Sequence, residues 1–331
     1  MKVLLLTERE ITPLLRIDEV MEAVETAFKE KALGYAQMPP KIYITYDKYN
    51  GDLRAMPSYL ERLEISAIKV VNSHPDNPEK FDLPTVMATI ILVDPKNGAP
   101  LAIMSGNWIT AMRTGAAGGI AAKYLARKNS KVVGLVGAGT QARTQAMALL
   151  SLYERLEEIR VWDRSEEQKK RYFSEMESLC KGKTEMRPVE NIKDAVTDAD
   201  IIVTTTPSRK PLVSNEWISN GTHITCIGAD APGKEELDPS ILLRAKIYVD
   251  DWEQGSHSGE INVPLSKGLI TKENVYGELG EVVAGLKPGR TSPEEITVFT
   301  STGLAVQDAV TAKLTYERAL AKCTGQWIEM F

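Results

Sequence analysis

Cysteine and histidine are scarce. The 331 residues hold three of each, and Cys180, Cys226 and Cys323 lie far apart, as do His74, His223 and His257. An odd, scattered set of thiols argues against a disulfide framework and points to a reducing compartment. No spacing among these six residues resembles a zinc site, so no metal is expected. No apolar run approaches the ~20 residues that span a bilayer. The opening Met1–Glu8 has too short an apolar stretch for a secretory signal, which makes the cytoplasm the expected location. No basic cluster is interleaved with aromatics. With a formal net charge of −5, nucleic acid and membrane are not expected as partners.

What remains is an ordinary soluble composition, 43% hydrophobic and 26% charged, in a chain long enough for two domains. Thr7 and Glu10 form a capping box, and Ile17, Val20, Met21, Val24, Ala27 and Phe28 share one face of a helix that Gly34 stops. From Lys41 to Met104 the texture is that of strands, at 41–46, 67–71 and 84–93, the last turning through Asp94–Gly98 into 101–104. A helix crowded with small residues follows over Thr110–Leu125. After Lys131, apolar strands alternate with helices: 132–136, 159–163, 201–205, 223–227, 247–250 and 296–300. That alternation predicts a parallel sheet with helices on both faces. Leu304–Leu320 reads as a closing helix that returns to the first domain.

The segment Val132–Ala142 carries the clearest chemistry. A strand-length apolar run delivers the chain into Gly137-Ala138-Gly139-Thr140-Gln141-Ala142. Gly137 permits a tight turn, Gly139 the close approach of phosphate, and Ala142 close packing of helix on strand. The next helix presents unpaired N–H groups and its positive dipole end, which together favour a pyrophosphate. An acid belongs at the tip of the second strand, ~20 residues on, to accept bonds from the ribose hydroxyls. Asp163 occupies that place, followed by Arg164 and Ser165. Its carboxylate repels a 2′-phosphate, so NAD is the expected cofactor.

Four further clusters stand out, each with a plainer reading beside it. Lys69 interrupts the apolar strand 68–71 and either snorkels or enters a polar pocket. Arg113-Thr114, beside the small-residue helix, either holds phosphate or is an exposed helix charge. Gly228-Ala229-Asp230 through Lys234 follows a strand end, where doubly wound sheets bind ligands, although Asp, Pro and Gly also make ordinary turns. Ser301 follows another strand end, where its hydroxyl could equally cap a helix.

Taken together with Leu83-Pro84-Thr85-Val86 and Glu278–Gly285, these motifs run in one order over essentially the whole chain. In that order the chain resembles the ornithine cyclodeaminase/μ-crystallin family. Ala36–Lys41, Gly51–Pro57 and Thr204–Pro211 look most like its archaeal alanine dehydrogenase branch. The resemblance implies an α/β fold: a Rossmann doubly wound parallel sheet plus a mixed α+β substrate and dimerisation domain. Residues 1–115 with 305–331 would form the latter, and 116–304 the NAD-binding domain of a homodimer. It implies that Lys69 exchanges protons at the reacting amine or imine, and that Asp230 activates water or stabilises the cationic intermediate. Arg113, Thr114, Thr140, Gln141, Asp163, Arg164, Ser165, Gly228, Ala229, Lys234 and Ser301 fall at or beside cofactor positions, with Gly137 and Gly139.

One departure bears on the substrate. Ornithine cyclodeaminases carry Glu-Leu-Met-Pro where this chain has Arg54-Ala55-Met56-Pro57. Two like charges ~4 Å apart repel by ~1 kcal/mol in water and ~4 kcal/mol at an effective dielectric of 20, so a distal ammonium is disfavoured. Arg54 and Lys41 are natural holders of a carboxylate. A small amino acid and its 2-oxo acid are therefore the expected substrates, with alanine oxidation as the expected reaction. A cyclic ketimine (pyrroline-2-carboxylate) reductase, an ornithine cyclodeaminase and a non-catalytic NAD-binding protein are the alternatives. Burial and the cations Arg54 and Lys41 are expected to lower the pKa of Lys69.

Overall fold

Residue patterning along the strands decides which side chains each sheet buries. The structure, a computed structural model, describes residues 1–330. It divides into two units, Met1–Arg113 with Leu304–Phe331, and Thr114–Gly303.

The first unit is built on strands β1 (Lys2–Leu6), β2 (Ala36–Gln37), β3 (Ile42–Tyr46), β4 (Gly51–Leu60), β5 (Ile65–Ser73), β6 (Val86–Val93) and β7 (Pro100–Ser105). The C-terminal strand Gln326–Glu329 joins the edge beside β1, and the order continues β1-β7-β6-β5-β4-β2, with β3 also on β4. β1 and β7 are parallel, and the other pairs antiparallel. The long strands alternate buried and half-exposed positions, as a sheet covered on one face should. Helices Ile17–Ala32 and Ala305–Ala321 pack on each other, and the second lies against β4, β5 and β6. In β5 the buried register is Ile65, Ala67, Lys69 and Val71. A lysine therefore occupies a core-facing position.

The second unit holds β8 (Val132–Val136), β9 (Glu158–Trp162), β10 (Glu185–Pro188), β11 (Ile201–Thr204), β12 (Arg209–Val213), β13 (His223–Cys226), β14 (Glu235–Leu237), β15 (Ala245–Val249), β16 (Val275–Glu278) and β17 (Ile296–Thr300). Its main sheet runs β10-β9-β8-β11-β13-β17-β15-β16, with every pairing parallel. The first five places repeat the strand order of a Rossmann fold, with the switch between β8 and β11. One apolar cluster includes Val133, Leu135, Ala142, Ile159 and Tyr172, and another includes Ile202, Ile224, Ile247 and Val298. β12 and β14 form a separate two-stranded ribbon. Among the described residues no helix is long and apolar enough to cross a membrane, and no group of His, Cys, Asp and Glu is arranged to hold a metal.

Candidate active site

In the first unit Lys69 does not snorkel. It is 1% exposed, and its Nζ lies 2.8 Å from each carboxylate oxygen of Asp308, aligned to donate to Oδ1. Thr110 Oγ1 stands at 3.4 Å. The same Oδ1 accepts from Arg113 Nε at 3.0 Å, and Arg113 Nη1 donates to Gln307 Oε1 at 3.1 Å. Burial pushes the Lys69 ammonium down to about 7, helped by the charges of Arg113 and, more weakly, Lys41, while Asp308 pulls the other way. Arg113 thus takes the part expected of Arg54. Arg54 instead pairs through Nε and Nη2 with Asp52, at 3.1 and 2.9 Å, and that carboxylate offsets part of the repulsion argued above for a distal ammonium.

A buried ion pair is a poor way to stabilise a fold, since desolvation offsets the attraction. A buried amine poised to titrate near neutrality suits proton transfer. Arg113, expected at the cofactor, is 5% exposed and bonded to Asp308 and Gln307. Lys41 is half-buried just before β3.

In the second unit β8 ends where expected. Gly137 has φ +108°, and a Cβ there would stand 2.5 Å from Thr205 Oγ1. Gly139 has an ordinary φ of −77° and caps helix Thr140–Leu152; a Cβ on it meets nothing within 4 Å. Its small size therefore leaves space open at the helix N-terminus, as an approaching phosphate requires. Asp163 reaches back across the turn: Oδ2 accepts from Ala138 N and Oδ1 from Ser165 N, both at 2.8 Å. Gly137, Gly139, Asp163, Arg164, Ser165 and Thr206 line one cavity of about 670 Å³. This is ligand-sized space, and a glycine cradle opposite a carboxylate fits the pyrophosphate and adenosine ribose of a dinucleotide.

The remaining second-unit positions lie in two helices and at two other strand ends. Thr140 and Gln141 open the helix, and Thr114 O accepts from Gln145 Nε2 at 2.9 Å. Gly228, Ala229 and Asp230 follow β13, and Lys234 Nζ donates to Asp230 Oδ1 at 2.5 Å. Ser301 follows β17, where the buried Asp250 accepts from the N–H groups of Thr302 and Gly303 at 2.6 and 2.7 Å.

The sequence model of the ornithine cyclodeaminase/mu-crystallin family matches residues 1–323. The chain belongs to this family. An alanine dehydrogenase of Archaeoglobus fulgidus is 53% identical over 331 residues, covering 100% of this chain and 99% of the relative. A solved archaeal alanine dehydrogenase dimer with bound NAD has a TM-score of 0.93 at 52% identity, with 100% of both chains covered. The Δ1-pyrroline-2-carboxylate reductase of Thermococcus litoralis, solved with NADH and L-proline, has a TM-score of 0.94 at 44% identity, covering 98% of this chain and 99% of that one.

Within this family member, sequence reasoning missed Asp308 and Asp250. Asp308 lies in a helix whose residues Ala305–Ala312 are all buried. An acid inside such a run, in a chain with a buried lysine elsewhere, was the available signal. Asp250 follows the apolar strand β15 and carried no signal of its own.

Proposed function

We propose that the chain is an NAD-dependent L-alanine dehydrogenase, interconverting alanine, NAD and water with pyruvate, NADH, ammonium and a proton. The observation that carries the reading is Lys69, a buried amine pushed down to about 7 in the unit that also holds Lys41 and Arg54. The likeness to the Archaeoglobus fulgidus enzyme, at 53% identity, supports the choice of substrate.

Bound NAD supplies the acceptor for the hydride on Cα. Gly137, Gly139, Thr140 and Gln141 would cradle its phosphates, Asp163 with Ser165 and Arg164 would face its adenosine ribose, and Thr114, Gly228, Ala229, Lys234 and Ser301 would complete the binding set. The acid–base work falls to the chain. Lys41 and Arg54 hold the substrate carboxylate. Neutral Lys69 accepts a proton from the substrate ammonium, which frees the nitrogen lone pair for C=N formation. Asp230 accepts a proton from the water that adds to the imine carbon. Protonated Lys69 then returns its proton to the departing amine, and the carbinolamine hydroxyl loses its proton to solvent as the carbonyl forms; this proton and the one on Asp230 make up the ammonium and the released proton. Arg113 acts here through Lys69, by holding Asp308 and opposing the ammonium charge.

A homodimer fits the dimeric archaeal relative and the exposed Ile42 and Ile44 on β3, 58% and 51% accessible. Free Cys180, Cys226 and Cys323 suit a reducing cytoplasm. The second reading is a cyclic ketimine reductase, favoured by the 44% identity to the Thermococcus litoralis enzyme. Oxidation of NADH with pyruvate plus ammonium tests the proposal; no turnover between neutral and alkaline pH would sink it. Consumption of NADH on pyrroline-2-carboxylate alone would select the second reading. Proline made from ornithine with no net NADH change would select a cyclodeaminase. NADH binding without turnover on any of these would select a binding protein.

A further inference from the structure

At the carboxyl edge of the second unit's sheet, one buried carboxylate takes four hydrogen bonds. Glu236, on β14, is 0% exposed. Its Oε1 accepts from Thr206 N and Thr206 Oγ1, both at 2.7 Å. Its Oε2 accepts from Thr204 Oγ1 at 2.7 Å and from Gly228 N at 3.0 Å. Thr204 ends β11 and Thr206 lines the dinucleotide cavity; Gly228 opens the segment that carries Asp230. The fit is close, because a Cβ on Gly228 would run into Thr206 O and stand 2.6 Å from Glu236 Oε2. From the other side, Glu260 Oε1 holds β14 by accepting from Glu236 N and Leu237 N at 2.8 and 2.7 Å.

The chemistry of this clamp admits little substitution. The N–H groups of Thr206 and Gly228 point at different oxygens, and neither main-chain group can turn from donor to acceptor. An ionised carboxylate answers both. A carboxamide of the same shape must set its NH2 against one of them, leaving a buried donor without an acceptor. Burial raises the Glu236 carboxyl against the opposing bonds from Thr206 and Thr204. Burial also raises the Glu260 carboxyl, and the charge of Glu236 adds to that effect. The four donors, with one main-chain N–H on each oxygen, favour the ionised form of Glu236.

We propose that Glu236 is a positioning residue for the dehydrogenase reaction: it ties the segment bearing Asp230 to Thr206, which lines the dinucleotide cavity just past the end of β11, so one group sets both. The inference rests on the reaction proposed above. Its substrate-side consequence is specific, since Lys41 and Arg54 belong to the other unit and owe nothing to this clamp.

The test is Glu236→Gln, with Thr204→Val as a milder cut that removes one hydroxyl donor. In folded Glu236→Gln, kcat for pyruvate amination should fall about 10-fold with KM for pyruvate within about 2-fold, the pattern of a misplaced group. Affinity for NADH, followed by its fluorescence, should fall about 3-fold through the displaced Thr206. In the cofactor-free protein the amides of Thr206 and Gly228 should exchange with solvent at least ~10-fold faster than in the wild type. Thr204→Val should lower kcat about 3-fold with the same unchanged KM. A lowered melting temperature with wild-type kcat, or unchanged protection of both amides, overturns the proposal. If Glu236→Gln does not fold, wild-type kinetics in Thr204→Val overturn it. A wild-type protein inactive on pyruvate would defeat the reaction instead, and amide exchange would still decide the clamp.

Discussion

Lys69 Nζ donates to Asp308 at 2.8 Å across 239 positions of sequence, and Arg113 meets the same carboxylate at 3.0 Å. A strand, a helix and the returning C-terminal helix each contribute one member. The amine is thus held between a carboxylate that favours its proton and a guanidinium that opposes it, with burial deciding the balance.

This balance predicts a pH dependence. For alanine oxidation Lys69 must enter as the neutral amine, so kcat/KM should rise as pH climbs through about 7. Asp308→Asn removes the group that raises the Lys69 pKa and leaves Arg113 and Lys41, which lower it. The limb should therefore move to lower pH. An unmoved limb in a folded Asp308→Asn protein would separate it from Lys69. Lys69→Ala should lower kcat by ~10²-fold or more, the scale of a positioned acid–base group.

The two glycines of the turn predict opposite phenotypes. Gly137 combines φ +108° with a close Thr205, so Gly137→Ala should destabilise the cofactor-free protein by at least ~1 kcal/mol. Gly139→Ala meets nothing within 4 Å and should change stability by no more than about 1 kcal/mol, chiefly through the helix cap. Its effect should appear in NADH affinity, weakened ~10-fold or more by a methyl where a phosphate approaches. Calorimetry and NADH titration of both variants check this; unchanged NADH affinity in Gly139→Ala would place the phosphates elsewhere.

Asp163 carries two tasks, because its carboxylate also accepts from Ala138 N and Ser165 N. Asp163→Asn should weaken NAD roughly 10-fold or more through lost bonds to a charged acceptor, and should shift preference toward NADP by relieving repulsion of a 2′-phosphate. Dissociation constants for both cofactors decide it. An unaltered ratio between them would show that Asp163 does not face the ribose.

Much of the second unit was legible because parallel strands buried on both faces read as continuous apolar runs. β8, β11 and β17 begin where the sequence indicates. Most strands that escaped are short or polar and lie at edges or in the ribbon: β2, β10, β12, β14, β16 and Gln326–Glu329; the long β4 escaped as well, because Gly51, Asp52, Arg54 and Pro57 break its apolar pattern. Their pairing depends on neighbours brought from far along the chain, which a local pattern does not encode. β1 escaped too, being a brief apolar stretch at the chain's start. In the site, Lys69 was visible as a charge in an apolar strand, but its environment was not. Snorkelling and burial give the same local pattern, and Asp308 decides between them from another part of the sequence. Glu236 was hidden for the same reason: beside Glu235 it reads as a solvated turn, whereas its four donors come from the end of β11 and the segments that follow β11 and β13.

The substrate is decided by comparing kcat/KM for pyruvate with saturating ammonium against kcat/KM for pyrroline-2-carboxylate without ammonium, both followed as NADH oxidation on the same preparation. A small-amino-acid dehydrogenase predicts turnover that requires ammonium and a ratio well above one in favour of pyruvate. A ratio well below one, with ammonium without effect, would contradict it and identify the cyclic imine as the substrate.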